Sequence, residues 1–308
     1  MYKGKSIAVV VPAFNECRLV KRTLDSVPSY VDRLYAVNDA STDATLSIML
    51  EQAERDTRIS VINRQTNGGV GASIVLGYKM ALKERIDIVA VMAGDGQMDP
   101  QFLPDLLDPI IEGKAEYTKG NRLFREDLRG QMTSWRYFGN VVLTYLNKIA
   151  SGYWDVVDPQ NGYTAITRRA LSILDLDRIY PRFAFENDML VKLNIHDVRV
   201  LNMPIPARYG EEKSRITYGS FIAGTSAFFV RAFCWRLWNK YVSRGENGEG
   251  NSPGAQPVSA CSSITGSNRS NAAFALDTQK ESVSMEDRRG GSVSENDTTN
   301  HPIGCSEL

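Results

Sequence analysis

A carboxylate and an amide lie two residues apart on a glycine-flanked turn, Gly94-Asp-Gly-Gln97. The turn follows an apolar run at 88–93, which predicts a strand buried on both faces. The flanking glycines let the backbone bend and leave Asp95 at the carboxyl end of that strand, where open α/β sheets bind ligands. Oxygen ligands from Asp95 and Gln97 suit Mg²⁺ or Mn²⁺ whose other ligands are water and a substrate diphosphate. The alternative is a plain turn in which the carboxylate caps the helix opened by Pro100.

Three earlier apolar runs, at 7–11, 34–37 and 59–62, also lead into polar residues. Each run is followed by a helical pattern, so the first 115 or so residues read as four strand-then-helix units. This order predicts a parallel sheet with right-handed crossovers. The polar motifs that follow the three strands are Pro12-Ala-Phe-Asn-Glu16, Asn38-Asp-Ala-Ser-Thr-Asp43 and Asn67-Gly-Gly-Val-Gly71.

The glycine run at 68–71 does not match the two best-known phosphate-binding motifs. Ile74 occupies the last glycine position of Gly-x-Gly-x-x-Gly, and no Gly-Lys-Ser/Thr follows. A nucleotide can still bind here, and Gly69 is a candidate contact. The alternative is a loop that merely starts a helix.

Composition limits the class of protein. The chain has 308 residues, of which 43% are hydrophobic, enough for one large or two modest domains. Its 36 basic residues balance 36 acidic ones, so nothing indicates a nucleic-acid partner. Four widely scattered cysteines favour a reducing compartment and argue against structural zinc. The sequence enters its first strand without an apolar leader, so we expect the catalytic part to be cytoplasmic.

Together with Asp158-Pro-Gln-Asn-Gly-Tyr163, the four motifs above occur in the order and spacing of the family 2 glycosyltransferases. The chain resembles most the polyprenyl-phosphate (dolichol-phosphate mannosyltransferase-like) branch, over about residues 5–242. The resemblance implies a nucleotide-diphospho-sugar transferase (GT-A type) α/β fold with a mostly parallel central sheet and flanking helices. It also implies a nucleotide-diphospho-sugar donor, a divalent metal and an inverting transfer.

The resemblance assigns roles to residues of the amino-terminal half. Pro12, Phe14, Glu16 and Asp39 would line the nucleoside pocket, with Asp39 near the base or ribose. Asp95 and Gln97 would hold the metal. The chain departs from the family at Ala93, where relatives usually carry the first carboxylate of an Asp-x-Asp pair. This departure motivates an alternative in which the domain is a non-catalytic nucleotide-sugar or scaffold module.

Cationic residues beyond position 115 are candidates for the acceptor side. Arg122 and Arg136 resemble the arginines that meet the acceptor phosphate, for which a guanidinium is the preferred clamp. Lys213 and Arg215 resemble a basic-Ser-basic signature that closes over the diphosphate, where cations would offset charge on the leaving group. For all four, the alternative is ordinary solvated surface charge.

Two carboxylates, Glu186 and Asp188, lie at the start of a predicted helix. If the acceptor is a sugar hydroxyl, Asp188 or Glu186 is the candidate general base. An acceptor phosphate is already anionic and needs no base. The alternative is that both acids complement the helix dipole.

The chain divides into a catalytic domain at 1–218, a hydrophobic helix at 219–242 and a polar tail at 243–308. The uninterrupted apolar run within this helix is too short to span a bilayer. Its aromatic residues, with Arg231, Arg236 and Lys240, predict a helix in the membrane interface with cations toward the headgroups. The alternative is packing on the catalytic domain or on a second copy in a homo-oligomer. The tail has the composition of a disordered segment.

The sequence thus predicts a metal-dependent, inverting glycosyltransferase, peripheral at the cytoplasmic face of the membrane. Its acceptor would be a polyprenyl phosphate. The alternative acceptor is a sugar hydroxyl of a lipid-linked glycan or surface polysaccharide. A sugar nucleotidyltransferase is disfavoured, because residues 12–16 lack the basic phosphate-binding loop that it needs.

Overall fold

The structure is a computed structural model that describes residues 1–122, 134–182, 184–206 and 218–242, without the side chains of 134–141, 143 and 218–227. The strands are β1 (Ile7–Ala13), β2 (Arg33–Asn38), β3 (Ile59–Asn63), β4 (Ile88–Val91), β5 (Tyr117–Asn121), β6 (Thr164–Thr167) and β7 (Val200–Pro204). The helices are α1 (Val20–Ser26), α2 (Thr45–Arg55), α3 (Val70–Lys83), α4 (Leu103–Ile111), α5 (Ser134–Ser151), α6 (Arg168–Ser172), α7 (Phe185–Ile195) and α8 (Tyr218–Leu237). A π-helical turn, Trp238–Val242, continues α8.

The seven strands form one sheet in the order β3-β2-β1-β4-β6-β5-β7. Strands β1 to β4 pair in parallel, as the repeated strand-then-helix pattern predicts. Strand β6 is antiparallel to both of its neighbours, β4 and β5. The chain order reverses between β1 and β4, which leaves a crevice at the carboxyl ends of these two strands.

Alternation along the strands separates two apolar layers, one on each face of the sheet. In β1, Ala8 and Val10 face one layer, which helices α3 and α7 cover. Ile7, Val9 and Val11 face the other layer, which α1 and α4 cover. Since β1 is fully buried on both faces, each of its valines and isoleucines contributes about 1.5–3 kcal/mol of burial free energy.

Helix α8 packs against α5 and α7 through Phe229 and Ala232. The prediction that the cations of residues 219–242 point to the headgroups is wrong for Arg236 and for Lys240 of the π-helical turn. Arg236 is buried and donates to the carbonyls of Ile149 and Ala150, and Lys240 donates to the Asn194 carbonyl. The carbonyls at the ends of α5 and α7 lack helical partners, so they attract these two cations inward.

Among the described segments, no helix combines the length and the apolar character that crossing a membrane requires. The tail at 243–308 lies outside the described residues, and the boundaries at 218 and 242 stay predictions.

Candidate functional site

The crevice between β1 and β4 is where Asp95 lies. The Gly94 N–H donates to the Pro12 carbonyl over 3.0 Å, and a Cβ on Gly94 would stand 2.8 Å from that of Ala13. Gly96 adopts a positive φ of 70°, which reverses the chain after Asp95. Both glycines are therefore needed, one for close approach and one for the turn. Pro100 opens a short 3-10 turn that Asp99 caps before α4 begins.

One pocket in this crevice, the first pocket, collects the ends of three strands. It brings together the predicted nucleoside-site residues Pro12, Phe14, Glu16 and Asp39 with Asp95. Its remaining lining residues are Ala13, Val70, Ser73, Ala93 and Gly94. Phe14 is 46% exposed, so an aromatic face is available to a ligand ring.

Asp39 is nearly buried, and its carboxylate organises the glycine run. One oxygen accepts from the Gly68 N–H at 2.9 Å and the other from the Gly69 N–H at 2.8 Å. Arg64 pairs with the same carboxylate at 3.1 Å. These two N–H groups are therefore already engaged by Asp39 and are not available to a phosphate.

The same glycines let another segment approach closely. A Cβ on Gly69 would stand 2.9 Å from the Pro181 carbonyl, and one on Gly71 would stand 2.8 Å from the Tyr180 carbonyl and from the Phe185 Cβ. The Ala72 N–H donates to Pro181 at 2.9 Å. Gly69 does not line the first pocket. The glycine run instead lets the start of α3 pack against the segment before α7.

Asp95 lines the first pocket and, unlike Asp39, forms no ion pair among the described residues. It accepts from the Gln97 N–H at 3.0 Å, and burial raises its pKa above the ordinary aspartate value. A partly desolvated carboxylate of this kind is stabilised by a nearby cation.

The described residues contain no cluster of three or more His, Cys, Asp or Glu side chains suited to a metal. Asp95 and Gln97 nevertheless fit a hard divalent cation, since such an ion is commonly held by one or two carboxylates, water and substrate phosphates. Ala93 supplies no ligand. The ligands that complete such a site would come from the substrate and from water.

A second pocket adjoins the first and shares Pro12, Val70 and Ala93 with it. Polar side chains from the segments that follow β4, β5 and α5, and one from α7, line it: Gln97, Arg122, Gln160, Asn161 and Glu186. Its other lining residues are Ile74, Val91, Met98, Gly162, Tyr163, Ile205 and Pro206. The two pockets form the cleft.

Arg122 is held in place by the buried carboxylate of Asp158. The guanidinium Nε lies 2.8 Å from one carboxylate oxygen, and an Nη lies 3.2 Å from the other. The Arg122 side chain still exposes 38% of its surface. A bidentate partner fixes the plane of a guanidinium, so Arg122 is presented to the second pocket in one orientation.

Burial shifts the pKa values of Glu186, which lines the second pocket, and of the nearby Lys119. Burial raises the pKa of the Glu186 carboxyl, and the nearby Lys119 offsets this only in part. Lys119 is fully buried, and burial lowers its pKa to about 8 despite the opposing Glu186 carboxylate. Its ammonium donates to the Asn161 carbonyl and so supports the lining of the pocket.

Asp188 is placed differently from Glu186. Its carboxylate accepts from the Tyr180 N–H at 2.8 Å and pairs with Lys192, one turn along α7. It does not line either pocket. Of the two candidate bases, Glu186 lies in the cleft. Asp188 instead holds the segment before α7 through the Tyr180 N–H, and it pairs with Lys192 because side chains at i and i+4 on a helix are neighbours.

Some predicted site residues remain untested by geometry. Arg136 belongs to α5, but its side chain is not described, and Lys213 and Arg215 lie outside the described residues. Sequence reasoning also missed lining residues. Gln160 and Asn161 belong to a motif noted for its resemblance but given no role. The sequence also did not single out Lys119, whose ammonium donates to the carbonyl of the lining residue Asn161.

Two sequence relatives have names that include dolichyl phosphate or undecaprenyl phosphate. An N-acetylglucosaminyltransferase named for UDP-N-acetylglucosamine and dolichyl phosphate, from Methanococcus voltae, is 26% identical over 220 residues, covering 67% of this chain and 87% of the relative. An undecaprenyl-phosphate mannosyltransferase from Micrococcus luteus is 27% identical over 207 residues, covering 65% and 82%.

Solved structures show the same fold. Glucosyl-3-phosphoglycerate synthase from Mycobacterium tuberculosis, in a complex with Mn²⁺, UDP and phosphoglyceric acid, aligns with a TM-score of 0.57 at 19% identity, covering 76% of this chain and 78% of that one. The GT-A type α/β fold that the sequence predicts is thereby confirmed.

The family model described as glycosyl transferase family 2 matches residues 8–174, from β1 through α6, and so includes every strand that contributes to the cleft except β7. The chain belongs to glycosyl transferase family 2, and it is a glycosyltransferase.

Proposed function

We propose that this protein transfers a sugar from a nucleotide-diphospho-sugar to a polyprenyl phosphate with inversion at the anomeric carbon. The observation that carries the proposal is the shared wall of the two pockets. Asp95 lies in the first pocket beside Phe14 and Asp39, and Arg122 lies in the second. A donor in the first pocket would therefore meet an anionic acceptor in the second.

The first pocket supports nucleoside binding. Phe14 offers an exposed aromatic face for a base to stack on. Asp39 lines the same pocket and holds the glycine loop through the N–H groups of Gly68 and Gly69. Asp95 and Gln97 would hold Mg²⁺ or Mn²⁺ at the diphosphate, and the ion would supply charge neutralisation for the leaving group. Lys213 and Arg215, which lie outside the described residues, are proposed to add cations to the diphosphate.

The second pocket supports a phosphate acceptor. Arg122, oriented by Asp158, would bind its oxyanion, and Arg136 is a second candidate. An acceptor oxygen forms the new bond to the anomeric carbon while the bond to the β-phosphate breaks. The nucleoside diphosphate then leaves with the electron pair, and the acceptor releases no proton.

Transfer to a sugar hydroxyl is the second candidate function, and Glu186 favours it. This carboxylate lines the cleft, and burial raises its pKa, as a general base requires. It would take the hydroxyl proton as the new glycosidic bond forms. With a phosphate acceptor, Glu186 would instead accept hydrogen bonds from the sugar that is transferred.

A donor panel tests the proposal. Purified protein is incubated with labelled nucleotide sugars, Mg²⁺ or Mn²⁺ and either a polyprenyl phosphate or a lipid-linked sugar. We expect an organic-extractable product that is acid-labile, as a glycosyl phosphate is. An acid-stable glycoside formed only from the lipid-linked sugar would favour the second function. No product from any donor would favour a non-catalytic module.

The polyprenyl chain of the acceptor resides in a bilayer, so the proposal includes peripheral association with the membrane. Its cytoplasmic face is the proposed side, because nucleotide sugars and reduced cysteines such as Cys17 and Cys234 fit that compartment. Fractionation with protease protection of a tagged chain tests the side.

A further inference from the structure

The carboxyl-terminal helix is α8 together with its π-helical turn. Two of its cationic side chains point toward the protein rather than toward the surroundings. Arg236 is 8% exposed and donates to two carbonyls at the end of α5. Lys240 pairs with Asp197 at 2.8 Å and donates to Asn194. A helix that faces water shows its charges outward, so this helix differs from a surface helix of a soluble domain.

Its outward face is apolar and aromatic. Val230 is 65% exposed, Trp238 is 56% exposed and Tyr241 is 64% exposed. Residues 230, 234, 237, 238 and 241 recur every three or four positions, which places them on one side of the helix. The neighbouring helix α5 exposes three more large apolar side chains: Val142, Tyr145 and Ile149. The two helices pack against each other, and several large apolar side chains exposed on packed neighbours are typical of an interaction surface.

The two helices are also selectively basic. The ranges 134–151 and 218–242 contain no Asp or Glu, but they contain the five cations Arg136, Lys148, Arg231, Arg236 and Lys240. The whole chain is balanced, with 36 residues of each sign. Arg231 is exposed beside Val230. Arg236 and Lys240 turn inward, so the outward face carries the exposed Arg231 and no carboxylate from either helix, which suits an anionic surface.

We propose that this outward face, formed by the exposed side chains of the carboxyl-terminal helix and of α5, docks in the plane of an anionic lipid bilayer. Tryptophan and tyrosine have an apolar body and a polar tip, which suits the headgroup boundary. A second copy of the chain would offer Arg231 no carboxylate from these two helices, whereas an anionic bilayer offers it phosphate groups. The proposal rests on the proposed function, because a polyprenyl acceptor requires approach to the bilayer.

The expectation that basic side chains of this helix point to the headgroups is thereby replaced by another arrangement. Arg231 is the exposed cation of the helix, whereas Arg236 donates to the Ala150 carbonyl and Lys240 pairs with Asp197. Docking should accordingly depend more on aromatic side chains than on salt.

The test uses the full-length protein and sucrose-loaded vesicles of phosphatidylcholine and phosphatidylglycerol. The double variant Trp238→Ser/Tyr241→Ser should lower the vesicle partition coefficient about tenfold or more, since two large side chains lose their burial. Arg231→Glu should lower it by a smaller factor and reduce its salt dependence. Leu50→Ser is the matched control, because Leu50 is 50% exposed on α2, which packs on α1 and β3.

Thermal unfolding of each variant checks that it folds, and all of these positions are exposed, so the unfolding temperatures should match wild type. A double variant that partitions like wild type would overturn the docking proposal. So would sedimentation showing that the double variant converts a dimer of wild type into a monomer while partition is unchanged.

Failure of docking is distinguishable from failure of the proposed function. A short-chain, water-soluble polyprenyl phosphate should react equally with wild type and with the double variant, whereas transfer to a long-chain acceptor in vesicles should fall. If wild type binds vesicles through this face but uses neither acceptor, the proposed function fails and the docking surface stands.

Discussion

The two halves of the cleft present charge in different ways. In the amino-terminal half, β1 to β4, polar side chains at strand ends mostly hold loops, as Asp39 holds Gly68 and Gly69. In the carboxyl-terminal half, β5 to β7 with α7, carboxylates pair with basic side chains, as the nearly buried Asp188 pairs with Lys192. The donor side is thus built from hydrogen-bonded loops, and the acceptor side is built from balanced charges.

This difference indicates where a bound divalent cation would stabilise a carboxylate most. Asp95 is partly desolvated and lacks an ion-pair partner among the described residues, whereas Asp158 and Asp188 each pair with a basic side chain. A divalent ion at Asp95 would give the donor side the compensation that the acceptor side already has. The predictions below test this contrast, from the largest expected effect to the smallest.

Replacing Asp95 with Ala should lower kcat/KM by roughly a thousandfold, the size of effect that loss of one transition-state charge contact produces. Calorimetry should also show weaker binding of Mn²⁺ together with a nucleoside diphosphate. Asp105→Ala, at an exposed carboxylate in the first turn of α4, is the control and should leave both unchanged. Unaltered Mn²⁺ binding and turnover in the Asp95 variant would remove the basis of the metal site.

Glu186→Gln and Asp188→Asn should separate chemistry from stability. Glu186 lines the cleft, so its variant should lose about 10²-fold or more in turnover to a hydroxyl acceptor and less to a phosphate acceptor. Asp188 forms a nearly buried pair with Lys192, so its variant should lose about 3–5 kcal/mol in the free energy of unfolding. Rate assays and urea unfolding measure the two effects. The reverse pattern would return the base to Asp188.

Lys119→Met should alter how stability depends on pH. The pKa of Lys119 is lowered to about 8 in the folded protein from 10.5, so the folded state binds fewer protons between these values. Stability of wild type should therefore rise with pH from about 8 to 10.5, by up to about 3 kcal/mol from this group. Urea unfolding of the variant should lack that rise. An identical pH profile for both proteins would contradict the buried charge.

Gly71→Ala should cost about 1–3 kcal/mol in the free energy of unfolding, because its Cβ would stand 2.8 Å from the Tyr180 carbonyl. It should also raise the KM for the donor, since the contact holds the start of α3, which lines the first pocket. Gly113→Ala is a control with open space around it but a positive φ of 73°, so it reports backbone strain alone. Equal losses in both variants would mean that close packing at Gly71 is unimportant.

The sequence by itself determined the parallel half of the sheet and the positions of its polar motifs. Runs such as 88–93 are apolar throughout, and a strand buried on both faces needs such a run. The glycines around Asp95 were readable for the same reason, because a sharp turn and a close approach both demand glycine.

Only the tertiary structure decided the antiparallel strand β6, which contains four residues and inserts between β4 and β5. Its residues, Thr-Ala-Ile-Thr, form no apolar run like that of the equally short β4, and its partner strands lie far away in the sequence. The structure likewise decided that Glu186 rather than Asp188 faces the cleft and that Arg236 turns inward. Such choices depend on which neighbour supplies a carbonyl or an opposite charge, and that information lies in packing between distant segments.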